Sequence, residues 1–196
     1  MNSMIQMAGG KYLDLENPNT GDIEFKDIAS ALSNITRFTG HVGFYSVAEH
    51  SVGVAAIARF FALRAGEDAV EAFRAGLMHD ATEAYLGDVS SPLKRLLPEY
   101  RRLEERWANA VELKFGVSLR HPLVKAADLA MLEIERRRKF GIETSSQWPG
   151  FLPGYEITHE DLNSPNMSLM FPVGLGLNPW HARHLFTAAW EAPTHE

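Results

Sequence analysis

AFRAGLMHDATEAYLGDV, residues 72–89, runs as an apolar helical stretch into His79-Asp80 and then adds Glu83 and Asp88. A helix end needs a cap, and a Gly or Asn in the left-handed conformation supplies one. It has no use for a crowd of titratable side chains. Such crowding points to a metal, a proton transfer, or both.

The sequence on either side is helical in period. Upstream, a helix is expected from about Ser46 to Arg64, with Val47, His50, Val54, Ile57 and Phe61 at helical spacing and Gly66 to end it. The segment EDAVEAFRAGLMHDATEA then carries Val70, Phe73, Leu77 and Met78 as an apolar stripe. Downstream, SSPLKRLL reads as a turn and short helix, with Pro92 in the first turn. PEYRRLEERWANAVELKF opens at Pro98 and closes at Gly116. In HPLVKAADLAMLEIERRRKF, Leu123, Ala127, Ala130, Met131 and Ile134 face inward, and the basic end ERRRK reads as a solvated face that suits a helix C-terminus.

The two ends of the chain are less regular. Residues 1–26 read as an irregular arm with a turn at Asn17–Gly21, and Asp27 is placed to cap a short helix, IASALSNI. Residues 141–178 hold many Gly and Pro and no sustained period, before a last helix, PWHARHLFTAAWEA, over 179–196. Strand signal is weak throughout. The expected class is all-α, a single-domain helical bundle with its metal-site core at 27–140 and an irregular insertion at 141–178.

Composition removes several function classes. A chain of 196 residues can bury a sizeable core. It has no cysteine, which excludes a disulfide framework, a zinc finger and a thiol nucleophile, and suits a reducing cytoplasm. A net charge of −6 argues against a basic face that coats a nucleic-acid polymer, but leaves room for a small anionic substrate. The start, MNSMIQMAGGKYLDLENP, lacks a basic region followed by an apolar one, so no signal peptide is expected. The longest apolar run, VGVAAIARFFAL, is too short and interrupted to span a bilayer. The expected location is the cytoplasm, or the host cytoplasm for a phage protein.

Of the histidines, His41, His121, His159, His181, His184 and His195 take the ordinary surface or satisfied-core reading. His50 and His79 differ. His50 lies on an apolar helix face, and His79-Asp80 ends the next apolar helix. If those helices pack antiparallel, their polar residues meet inside the bundle, where burial is costly without compensation. A divalent cation supplies it. Asp128, the acidic residue within the otherwise apolar VKAADLAML, is the fourth candidate ligand, against the reading of a solvated residue or an ion pair.

His50, His79-Asp80 and Asp128, in that order on helices, resemble the H…HD…D pattern of the HD-domain metal-dependent phosphohydrolases. The contexts IASALSNITRFTGH, SVAEHSV, LMHDATEAYLGDVSSPLK and VKAADLAMLEIER are similar to a subgroup of 5′-deoxynucleotidases and phage dATP triphosphohydrolases. The likeness runs over residues 9–140, with a weaker echo at NPWHARHLF. It implies that Glu83 acts on the attacking water or leaving oxygen and that Asp88 helps position the water. It also implies that Phe38, where several relatives carry Trp, packs on sugar or base, with a core Phe as the alternative. Finally it implies a dimer or larger assembly, for which Trp107, read as exposed among charges, offers a contact.

Two imidazoles and two carboxylates suit one Mn²⁺, Fe²⁺, Co²⁺ or Zn²⁺ per chain. Arg37 presents a planar fork to phosphate, and Lys94 enters from the rim. No second basic cluster marks a β- or γ-phosphate, though Lys11, Lys94 and Arg95 could converge. The expected function is metal-dependent hydrolysis of the 5′-phosphate ester of a nucleotide, with a deoxynucleotide favoured over a ribonucleotide, giving nucleoside plus phosphate or, from a dNTP, nucleoside plus triphosphate. The alternatives are a phosphohydrolase of a signalling nucleotide, which the absence of a GYP signature weighs against, and a non-catalytic nucleotide-binding module.

Overall fold

The computed structural model describes residues 3–141, 152–158, 161 and 176–192. Its helices are α1 (Phe25–Asn34), α2 (Val47–Ala65), α3 (Ala69–Met78), α4 (Glu83–Leu86), α5 (Ser91–Lys94), α6 (Pro98–Phe115), α7 (Pro122–Phe140) and α8 (Pro179–Glu191). Among the described residues the fold is all-α apart from one small hairpin.

Helix α2 is the axis of the fold. The Ser46 hydroxyl starts it by accepting from the Glu49 amide at 3.1 Å. Gly66, at φ 70°, ends it in the left-handed conformation that costs glycine no steric penalty. Asp68 starts α3 two residues later, accepting from the amides of Val70 and Glu71. This tight connection folds α3 antiparallel along α2, the packing expected from the sequence.

Helix α2 is buried nearly all round because two apolar clusters share it. Val47, Ala48, Val52 and Ala55 pack with Ile28 and Leu32 of α1, Phe73, Leu77 and Met78 of α3, Trp107 of α6 and Phe186 of α8. On the other side, Val54, Ile57, Ala58 and Phe61 pack with Ala72 and Ala75 of α3 and with Leu123, Ala127, Ala130, Met131 and Ile134 of α7. A helix that is apolar around its circumference belongs in a core. Any polar group on it is therefore held in place by its neighbours.

Several expectations are corrected. The N-terminal arm is ordered as an antiparallel hairpin, β1 (Met4–Gln6) against β2 (Tyr12–Asp14), with Ile5 opposite Leu13. Three-residue strands are too short to show a period-two pattern. Helix α1 begins at Phe25, so Asp27 lies in its first turn and Glu24 holds the cap position.

Trp107 is wholly buried. Its ring stacks on Tyr85 at 3.9 Å and its Nε1 donates to the Leu15 carbonyl at 3.0 Å, so it offers no surface to a partner. The ERRRK end of α7 is solvated only in part. Glu135 and Arg136 are both buried, 2 % exposed. Within the irregular insertion, residues 152–158 are non-helical, with Ile157 buried, and residues 142–151, 159–160 and 162–175 lie outside the described residues. Among the described residues, no helix is long and apolar enough to cross a membrane.

Candidate metal centre

The antiparallel α2–α3 pair brings His50 and His79 together, ring centroids 5.3 Å apart and planes tilted by 51°. Helix α3 ends at Met78, so His79 and Asp80 sit in the turn that follows it rather than on a continuing helix. One ligand atom from each of His50, His79 and Asp128 lies within 4.8 Å of the others, a group able to hold a metal ion. Asp80 adds Oδ2 at 3.1 Å from His79 Nε2 and 3.7 Å from His50 Nε2. Asp128 Oδ1 stands 3.6 Å from His50 Nε2, while its Oδ2 pairs with exposed Lys125 at 3.3 Å.

The state of each ring nitrogen follows from its partner. The Gly76 carbonyl can only accept, so His79 Nδ1 donates to it at 2.7 Å, leaving Nε2 as a lone pair in the neutral ring. His50 Nδ1 lies 2.7 Å from Glu135 Oε1. Both Nε2 atoms are buried and without a hydrogen-bond partner. Two buried imidazole nitrogens facing two carboxylates call for positive charge, as a metal ion or as a proton on the ring, since unpaired polar atoms of this kind are expensive. The charges agree. Burial and Arg37 oppose a charge on His50, but Glu135 and Asp128 outweigh them and push its pKa up to about 9. Burial resists ionisation of Asp80 and Asp128, yet the imidazoles hold both well below the usual carboxylate range.

Glu83 opens α4, its amide bonded to the Asp80 carbonyl at 2.9 Å. Its carboxylate is buried, with Oε1 3.6 Å from Lys94 Nζ and Oε2 unpartnered. Burial first, then Asp80 and Asp88, raises its pKa well above that of an ordinary carboxyl. Asp88 is raised too, chiefly by burial. Tyr100 of α6 donates to the Gly87 carbonyl at 3.0 Å and fixes the turn that carries Asp88.

The cations are more engaged than the sequence suggested. Residues 36–46 form a loop closed by a Thr36–Ser46 bridge, which delivers Arg37 to the start of α2. Arg37 Nη2 donates to Glu135 Oε2 at 3.1 Å, and Nη1 lies 3.8 Å from Asp80 Oδ2. Lys94 is held by both Glu83 and Glu104 of α6. Lys11 pairs with Glu24 on the hairpin side of the fold.

Phe38 packs edge-on against Phe140 at 5.3 Å and lies under the Arg37 guanidinium. Phe38 and Thr39 both take positive φ, 55° and 53°, which costs non-glycine residues roughly 1–3 kcal/mol each. Strain of this kind is kept where a loop must present a side chain in one direction.

The sequence matches the YfbR-like 5′-deoxynucleotidase family over residues 24–125, the span that holds Arg37, His50, His79, Asp80, Glu83 and Asp88. The chain belongs to this family. It is also 41 % identical to an uncharacterized Escherichia coli protein, YfdR, over 94 % of this chain and 92 % of the relative. An uncharacterized protein of Rhodobacter capsulatus is 37 % identical over 69 % of this chain and 72 % of the relative. The YfbR-like family is one of metal-dependent phosphohydrolases, and this chain has a His/His/Asp group that could hold a metal ion.

Sequence reading missed Glu135, Glu104 and Gly76. Glu135 was recoverable, because it lies seven residues after Asp128 and so on the same face of α7. Glu104 acts through a contact between helices that no local pattern signals, and Gly76 through its backbone carbonyl, which side-chain patterns do not mark.

Proposed function

We propose that the protein hydrolyses the 5′-phosphate ester of a deoxynucleoside monophosphate, using His50, His79, Asp80 and Asp128 to hold one divalent transition metal. The observation that carries this reading is the pair of buried, unpartnered Nε2 atoms set against two carboxylates, with the unpartnered Glu83 oxygen beside them. A divalent ion in that position acidifies a water and neutralises phosphoryl charge. Glu83, kept protonatable by burial and by Asp80 and Asp88, takes the water proton or delivers one to the leaving oxygen. Asp88 positions the water. Arg37 turns its fork towards a phosphate oxygen from its seat on Glu135, Lys94 approaches from the rim, and Phe38 flanks the sugar or base.

A monophosphate fits the local charge better than a triphosphate. The carboxylates of Asp80, Asp88, Asp128, Glu83, Glu104 and Glu135 outnumber the cations Arg37, Lys94 and Lys125, and those cations already pair with them. A divalent ion reduces that excess without reversing it, so each further negative charge on the substrate meets repulsion, and a dianion meets less of it than a dNTP does. The family description points the same way. Self-association in the cytoplasm belongs to this reading, supported by the exposed Leu93, Leu96, Leu97 and Leu113 rather than by Trp107.

A panel of ribo- and deoxynucleoside mono- and triphosphates, incubated with Mn²⁺ or Co²⁺, tests the proposal. The expected product is inorganic phosphate from deoxynucleoside monophosphates. Triphosphate from dNTPs alone replaces the substrate class, and no hydrolysis of any member leaves a binding module.

A further inference from the structure

Glu135 has no step in the reaction above, yet no carboxylate of the site is more deeply built in. Its side chain is 1 % exposed. Oε1 accepts from His50 Nδ1 at 2.7 Å, and Oε2 accepts from Arg37 Nη2 at 3.1 Å. One carboxylate therefore touches a proposed metal ligand and a proposed phosphate cation, each through its own oxygen. We propose that Glu135 is a positioning residue that sets His50 and Arg37 together, fixing the His50 ring for metal ligation and the Arg37 fork for phosphate. The proposal rests on the roles given to those two residues above.

The argument is one of donors and acceptors. An ionised carboxylate only accepts, and His50 and Arg37 both donate to it. Holding the His50 proton on Nδ1 leaves Nε2 free to face Asp80, Asp128 and the ion. An amide in the same place accepts at one end and donates at the other, so it can accept from one partner only. Arg37 is permanently charged and makes the stronger bond, so it takes the amide oxygen. The amide NH₂ then faces His50 Nδ1, which must accept, and the neutral ring carries its proton on Nε2. Glu135→Gln thus disables a ligand without removing one, at constant side-chain volume. A carboxylate that merely stabilised α7 would not have this effect.

Glu133 supplies the comparison. It is also buried on α7, but it pairs with Arg136 and Arg137, away from both ring nitrogens. Zinc and cobalt affinities of wild type, Glu135→Gln and Glu133→Gln are measured by competition with a chelating indicator, with helical circular dichroism as the check on folding. Glu135→Gln is expected to bind each metal roughly 10–100-fold more weakly at unchanged helicity, and Glu133→Gln to bind as wild type. Wild-type affinity in Glu135→Gln, or an equal loss in Glu133→Gln, overturns the proposal.

A second readout needs no variant to fold. In the zinc-loaded wild type with ¹⁵N-labelled histidine, His50 should show a slowly exchanging Nδ1 proton, shifted downfield by its carboxylate partner. An Nε2 proton on His50, or an Nδ1 proton exchanging freely with solvent, refutes the assignment. Neither experiment uses a nucleotide, so their failure is distinguishable from failure of the hydrolytic reading.

Discussion

Gly76 of α3 lies so close to Ala55 of α2 that a Cβ on Gly76 would fall 2.8 Å from the Ala55 Cα. Backbone stands on both sides of that contact, so nothing cheap can move. The same Gly76 carbonyl orients His79, and the same helix pair sets the separation of His79 from His50.

Gly76→Ala therefore has to push α3 away from α2. Overpacking of this kind costs about 1–3 kcal/mol, and a chain of this size loses roughly 2–4 °C of Tm per kcal/mol. Metal affinity should fall along with Tm, because the imidazoles separate. Calorimetry and metal titration on one sample check both, and a Gly76→Ala protein with wild-type Tm and affinity contradicts the packing argument.

The metal site itself should hold one transition-metal ion per chain, since two imidazoles and two carboxylates form one closed group. His79→Ala removes an imidazole lone pair already oriented by Gly76 and is expected to lose the ion. Elemental analysis after growth in metal-replete medium decides. A wild-type protein without metal, or a variant that keeps its full complement, removes the site.

A third expectation concerns the hairpin. Asp14 accepts from Asn17 Nδ2, Ser3 Oγ and the Glu16 amide, and these bonds lower its pKa to about 2. The folded-state value lies below the unfolded value of about 3.9. The resulting stability is thus fully present above the unfolded value and is lost as pH falls through the folded one. Urea unfolding of wild type and Asp14→Ala should differ at pH 6 and converge by about pH 2. A gap that is constant over that range shows that the bonds survive protonation, contrary to the assignment.

What the sequence made legible was what repeats along a helix. Val47, His50, Val54, Ile57 and Phe61 announced α2, and Gly66 its end. The His50, His79-Asp80 and Asp128 pattern stood out because each interrupts or ends an apolar stretch, and the fold brings these side chains together. Features set by tertiary contact were not legible. Trp107 sits among charges in sequence, but α6 turns it towards Tyr85. Glu135 reads as part of a basic helix end, and only the approach of His50 and Arg37 explains why a carboxylate is buried there. Arg37 was recognisable as a site residue, but its attachment to Glu135 and Asp80 was not.

The last prediction separates holding the metal from doing the chemistry. Glu83 Oε1 is 3.6 Å from Lys94 Nζ, and its Oε2 is buried and unpartnered. If Glu83 moves the proton and does not ligate, Glu83→Ala keeps the metal and loses turnover. General acid–base help contributes about 10²–10⁴-fold in rate, so kcat should drop by that order. Asp80→Ala, by contrast, removes the oxygen that lies 3.1 Å from His79 Nε2 and 3.7 Å from His50 Nε2 and should lose metal and activity together. Metal content and kcat measured side by side on the two variants decide the division of labour. Loss of metal from Glu83→Ala makes Glu83 a ligand, whereas wild-type kcat in a metal-loaded Glu83→Ala protein removes its catalytic role and leaves proton transfer to Asp88 or to solvent.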